Sequence, residues 1–203
     1  MNVYAVRIRT PMLMDRGDVP EVLSIGHSTH HSHEFLARLD EAAVELLVDV
    51  RRYPGSRRVP WTSANELQSL LAERSIGYLH LAALGGRRRP SKPSWNGAWR
   101  NQQFQGYADH LSSLEFAAGL AELEAEARQR RAAIMCAEAQ WWRCHRRLLS
   151  DILVVRGWRV VHVDLCGEPK EHELTPFAVV DGLLVRYPAP DVRSAALATP
   201  ITT

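Results

Sequence analysis

A three-layer α/β sandwich around a mainly parallel sheet of about five strands, closed by a small C-terminal hairpin, is the fold this sequence predicts. Three observations carry that reading. Apolar runs of strand length alternate with amphipathic runs of helical period between residues 21 and 165. One run, "ELLVDVRR", is apolar almost throughout, as strands covered on both faces of a parallel sheet are. Four strands also deliver distinctive residues at their C-terminal ends: His27, Asp49 with Arg51, Gly85-Gly86, and Cys136 with Glu138. Open α/β sheets place their chemistry at that edge.

The elements follow in order. "EVLSIGHS" reads as a strand over residues 21–27, and "SHEFLARLDEAAV" as a helix with Ser32 at its N-cap. The second strand spans 45–51. "TSANELQSLLAERSIG" is a capped helix closed by Gly77, and "GYLHLAAL" is a third strand leading to Gly85. From Arg87 to about Gln103 there is no period, only prolines, tryptophans and basic residues, as in a binding loop or lid. Helical patterns return in "FQGYADHL" and "SSLEFAAGLAELEAEARQRR". Strand four ("AAIMCAE", 132–138), helix "CHRRLLSDILVVRG" and strand five ("WRVVHVDL", 158–165) complete the alternation. "FAVVDGLLVRYP" is a hairpin turning at Asp181-Gly182.

A chain of 203 residues suits one domain, 1–203, with its core over about 20–190 and peripheral ends. With 46% hydrophobic and 24% charged residues it is composed as globular proteins are, which excludes a disordered chain. No apolar run reaches the roughly 18 residues of a membrane span, so no membrane partner is expected. The first residues lack the pattern of a signal peptide, and three cysteines suit a reducing compartment, so the expected location is cytoplasmic. Formal charge is only +2, but the arginines cluster in "RRYPGSRR", "GGRRRPSK" and "RCHRR", which favours an anionic partner, a nucleotide or nucleic acid.

The densest chemistry lies in "MCAEAQWWRCHRR", residues 135–147. Cys144 stands where the loop after strand four enters a helix. Helix-end N–H groups, Arg143 and Arg146 favour an anion there and lower a thiol pKa. Cys144 is therefore read as a nucleophile or as a packed helix-end thiol, with His145 beside it. Cys136, in an apolar strand, reads as a buried inert thiol, and Cys166 as the end of strand five. Glu138 is a general base or the partner of Arg51 or Arg146. Asp49 and Arg51, two apart on one strand, share a face and either grip a substrate or form a buried ion pair. His27 follows Gly26 on a sharp turn and reads as a substrate contact. Arg57, Gly85 and Gly86 complete the expected binding residues. Cys136, Cys144, His145 and His27 could supply nitrogen and sulfur ligands, but no metal and no cofactor are expected, because the cysteine spacing is not that of a zinc knuckle or ribbon and "SIGHS" is not a dinucleotide fingerprint. The loop from Gly85 to Phe104 interleaves arginines with Trp95, Trp99 and Phe104, a mixture suited to phosphates and stacked bases.

The segments "SIGHS", "LLVDVRRYPGSRR", "SIGYLHLAALGGRRR", "FQGYADHL", "MCAEAQWWRCHRR" and "LTPFAVVDG" occur together between about Leu23 and Tyr187. In this combination the chain resembles the bacterial family catalogued as domain of unknown function 488. In that family a proline often lies between "CAE" and "CHR"; here Trp141-Trp142 occupies the region, as in a narrower branch. The resemblance implies the α/β fold more than it implies a reaction. Three functions stay open: an enzyme acting on a phosphate-bearing nucleotide or nucleic acid, a thiol-dependent sulfur- or acyl-transfer enzyme, and a non-catalytic nucleic-acid-binding or regulatory module.

Overall fold

The computed structural model describes residues 19–165 and 167–190; the expected peripheral ends and Cys166 lie outside the described residues. Six strands form one sheet in the order β3-β2-β4-β1-β5-β6. They are β1 (Glu21–Gly26), β2 (Leu46–Asp49), β3 (Gly77–His80), β4 (Ala132–Cys136), β5 (Arg159–His162) and β6 (Lys170–Glu171). The first five run parallel, and β6 adds a short antiparallel edge that the expected count of five strands omits. A separate hairpin, β7 (Val179–Asp181) with β8 (Leu184–Arg186), turns one residue later than expected, at Gly182-Leu183 with Gly182 at φ 60°.

Helices cover both faces of the sheet. Helices α1 (Ser32–Glu41) and α2 (Ala64–Ala72) bury Phe35, Leu36, Leu39, Leu67 and Leu71 against Leu23, Ile25, Leu47 and Met135. Helices α3 (Gln102–His110), α4 (Leu114–Ala127) and α5 (Arg146–Val155) bury Tyr107, Phe116, Leu120, Leu149 and Ile152 against Val22, Val48, Ile134 and Val160. Alternate residues of β1, β2 and β4 thus feed opposite cores, which requires apolar side chains at nearly every position. In α5 the buried Leu148, Leu149, Ile152 and Leu153 recur at helical spacing, so the sequence period and the packed face coincide.

Three expected boundaries shift. The N-cap of α1 is His31, whose N–H donates to Glu34 Oε2 at 2.9 Å, and Ser32 is the first helical residue. Helix α2 ends at Ala72, Ser75 takes the left-handed turn at φ 58°, and Gly77 begins β3. Strand β3 stops at His80, because Ala82–Leu84 curl into a 3-10 turn. Among the described residues no helix is long and apolar enough to cross a membrane.

A polar network fastens the C-terminal segment to α5. The buried Asp151 carboxylate accepts from His172 Nε2 (2.9 Å), the Thr175 N–H (2.9 Å) and the Tyr187 hydroxyl (2.7 Å). His162 Nε2 lies 3.0 Å from His172 Nδ1, and the Trp141 indole stacks on His162 at 4.0 Å between ring centres. Burial first, and Asp151 second, push the Tyr187 hydroxyl pKa up, so it remains a donor. Asp151→Ala strands three buried donors at roughly 1 kcal/mol or more each. The expected loss is about 3 kcal/mol or more in urea unfolding, with Tyr187→Phe losing about 1 kcal/mol.

Candidate functional site

The connection after β1 passes to α1 on one face of the sheet and the connection after β4 passes to α5 on the other, so they part at the C-terminal ends of these neighbouring strands. Crevices of this kind are where open α/β sheets bind ligands. A cleft of about 520 Å³ opens there, a size suited to a small-molecule ligand. Its lining includes His27, Arg51, Gly86, Cys136, Glu138, Arg143, Cys144 and His145, which lie far apart in sequence. Arg52, Tyr53, Arg58, Arg87 and Phe104 join them from the loops after β2 and β3 and from α3.

At the floor, Gly26 pairs with Cys136 across the β1–β4 ladder. The chain then loops through Ala137–Gln140, makes a 3-10 turn over Trp141–Arg143 and enters α5. Cys144 is extended (φ −120°, ψ 153°) and His145 is helical (φ −58°, ψ −18°), so adjacent side chains bend toward one point. His145 Nδ1 lies 3.6 Å from Cys144 Sγ and 3.9 Å from Cys136 Sγ. His145 Nε2 faces the Val50 carbonyl at 3.0 Å; because a carbonyl only accepts, Nε2 carries a proton, and Nδ1 is the ring atom turned toward the sulfurs. Gly86 makes room for the ring, since a Cβ there would stand 2.8 Å from Nδ1.

Electrostatically the two thiols act as a pair. Burial pushes the Cys144 thiol up, but the Cys136 hydrogen bond and the fields of His145 and Arg146 outweigh it and hold Cys144 well below the usual thiol range. Cys136 is pushed up, first as the donor to Cys144 and then by burial. The two thiols therefore titrate as a pair, with Cys144 the one held low and Cys136 the one held high. Cys136 is half-buried and faces the cleft more openly than Cys144, which is 4% exposed. Cys136, expected as a buried inert thiol, is held protonated by its raised pKa, and its place beside Cys144 and His145 is the feature that sequence did not give. Sequence reading missed it because strand periodicity says nothing about how the following loop folds back.

Other expected residues take supporting positions. Arg146 is fully buried, donating to the Glu138 and Ala139 carbonyls and to Ser24 Oγ, and it is absent from the cleft lining. Asp49 is also fully buried; it holds Arg51 in a bidentate pair and accepts from the Tyr78 hydroxyl at 2.8 Å. Arg51 also donates to the Thr62 carbonyl and reaches His27 Nε2 at 3.3 Å, so the pair braces the cleft floor. Gly85 packs on the Arg52 backbone, where a Cβ would sit 2.7 Å from Arg52 Cα. Arg57 lies outside the lining, and Arg58 takes the place expected for it. The first amides of α5 bond inward, Arg147 N–H to the Cys144 carbonyl and Leu148 N–H to the His145 carbonyl, so arginine side chains remain as the stronger anion donors. In the long loop, Arg88 is tied to Glu115 and Trp99 packs on Phe104, Phe177 and Tyr187; Arg87 and Phe104 reach the cleft.

An α/β sandwich with an arginine-lined cleft above a thiol–imidazole cluster at its topological switch point is the class of protein these features define. The chain belongs to the family described as Domain of unknown function DUF488, which matches residues 31–153. No curated protein and no solved structure matches the chain significantly.

His27 supplies a test of the cleft floor. Its Nδ1–H donates to the Ser28 carbonyl at 2.8 Å and Nε2 faces Arg51. Burial lowers its pKa to about 4, against a smaller raising effect of the Ser28 carbonyl and with help from Arg51. The native state thus disfavours a proton that the unfolded chain accepts near pH 6.5. The stability that His27 contributes is complete above that pH and is lost as pH falls toward 4. Between pH 7 and 4.5, His27→Gln should lose about 2 kcal/mol less than the parent in paired urea titrations.

Proposed function

We propose that this protein is an enzyme acting on a phosphate-bearing nucleotide or nucleic-acid substrate held in the cleft between β1 and β4. The observation that carries the reading is the imbalance of charge around the cluster: Arg51, Arg52, Arg58, Arg87 and Arg143 line the cleft against one carboxylate, Glu138. Among the described residues, Arg52, Arg58, Arg87 and Arg143 have no carboxylate partner, unlike Arg51. Guanidinium groups without a carboxylate partner, converging on one hollow, match the planar oxygens of phosphate. Tyr53, 64% exposed, and Phe104 offer flat surfaces for a base at the same mouth. The Cys136–Cys144–His145 cluster supplies the reacting group at the floor, and Glu138 is placed on the wall as acid or base.

One observation favours a second reading, thiol-dependent sulfur or acyl transfer: the Cys144 thiol is held low, first by the Cys136 hydrogen bond, with the His145 ring 3.6 Å away. The first reading is preferred because the arginines converging on the cleft suit a phosphate-bearing substrate, which sulfur or acyl transfer does not require.

Arg87→Ala with Arg143→Ala should weaken binding of labelled nucleotides or short oligonucleotides about tenfold or more, as loss of charge-assisted bonds does. Affinity should fall steeply with salt in the parent and less steeply in the variant. Unfolding midpoints should stay close to the parent, since both side chains are exposed. Equal binding by parent and variant at every salt concentration would sink the proposal.

A further inference from the structure

We propose that Cys136, Cys144 and His145 form a metal site for a thiophilic divalent ion, zinc by ligand preference, with its fourth coordination position facing the cleft. The inference rests on the phosphate-substrate reading only for what the ion would do; its ligand geometry stands independently.

Three potential ligand atoms, two Sγ and one Nδ1, lie within 4.8 Å of one another. Zinc binds thiolate sulfur at about 2.3 Å and imidazole nitrogen at about 2.0–2.1 Å, usually tetrahedrally. Those bond lengths set the sulfur–nitrogen edge of the tetrahedron at about 3.6 Å. The observed edges are 3.6 Å to Cys144 and 3.9 Å to Cys136, so little movement would close the site around an ion.

The surroundings are those of a metal-ligating histidine. Such residues commonly donate their second ring N–H to a carbonyl or carboxylate, which fixes the tautomer and the ring. His145 Nε2 makes that bond to Val50, in the short segment that follows β2. Gly86 leaves the space beside Nδ1 that any side chain would fill. The ligands also come from two rigid supports, the end of β4 and the turn into α5. Their spacing, seven residues between the cysteines and an adjacent histidine, is no linear zinc motif; the site exists only because the loop folds back.

Cysteine and histidine together select zinc over magnesium or calcium, which prefer oxygen. A structural zinc site has four protein ligands, whereas three protein ligands with one open position characterise catalytic zinc. All three residues line the cleft, so the open position meets the substrate pocket. There the ion would polarise a phosphate or carbonyl oxygen, with Glu138 on the adjoining wall.

The test is metal retention by untagged, reduced protein in a Cys166→Ser background, which removes the third thiol. After zinc loading and desalting, elemental analysis should find about one ion per chain. Cobalt loading should give the strong visible bands of tetrahedral coordination and a sulfur-to-cobalt charge-transfer band. Cys136→Ser, Cys144→Ser and His145→Gln should each weaken retention at least tenfold, consistent with the loss of one direct ligand, while far-ultraviolet circular dichroism verifies folding. Arg87→Ala with Arg143→Ala should keep the metal, so failure of the phosphate reading and failure of this one are distinguishable. Absence of both zinc and the cobalt bands in the reduced, folded parent would overturn the proposal, as would equal retention by all three folded ligand variants. Cobalt bands without sulfur charge transfer would overturn it too, since they would place the ion on other ligands.

Discussion

A guanidinium sealed inside the protein sets the shape of everything around the cleft. Arg146 is among the largest fully buried side chains, and its hydrogen-bond acceptors are two carbonyls and a hydroxyl rather than a carboxylate. Burying a cation this way costs several kcal/mol unless its hydrogen-bonding positions are met in detail. The loop after β4 meets most of that demand by aiming the Glu138 and Ala139 carbonyls at Nη2, while Nε has no hydrogen-bond partner among the described residues. Gly26 permits the approach, because a Cβ there would collide with the Glu138 carbonyl and stand 2.8 Å from Nη2 of Arg146. The same positive charge adds to the Cys136 hydrogen bond and His145 in holding the Cys144 thiol low. Loop path and strand end therefore share one cause.

The arginines of this chain divide by depth rather than by position in sequence. Arg51, Arg88 and Arg146 turn inward and act as internal braces, each bonded to carbonyls, carboxylates or both. Arg52, Arg58, Arg87 and Arg143 stand around the mouth without a carboxylate partner among the described residues. "RRYPGSRR" contributes to both groups, as does "GGRRRPSK". A basic cluster in a sequence is thus two kinds of residue with different work, one anchoring the wall and one facing the solvent-filled hollow.

Much of the fold was legible because two strong periods were present. Strands buried on both faces need apolar residues at every position, and α5 repeats its apolar face at helical spacing. The edge strand β6 has two exposed residues, Lys170 and Glu171, and so carries no apolar signal to read. The shared cleft of His27, Arg51 and Glu138 follows from their places at strand ends, and His145 joins them from the turn into α5. Direction was not legible. Arg143 and Arg146 are three apart, yet one faces the cleft and the other is buried, because the 3-10 turn interrupts the helix between them. The role of Gly86 beside His145 depends on two loops meeting, which no local pattern records.

The strand order has a consequence for the birth of the site. Strand β4 lies between β1 and β2, with Ala132 beside both Val22 and Leu46. During synthesis, the first three strands emerge long before the strand that separates two of them. Closing so long a loop adds an entropic penalty that the later contacts must outweigh, which slows assembly. Until β4 inserts, β1 and β2 each lack a central neighbour and offer unpaired backbone to other chains. Cys136 arrives on that last central strand and Cys144 just behind it. For the growing polypeptide, then, the chemistry is assembled at nearly the same moment as the middle of the sheet, and a premature stop upstream of β4 leaves neither.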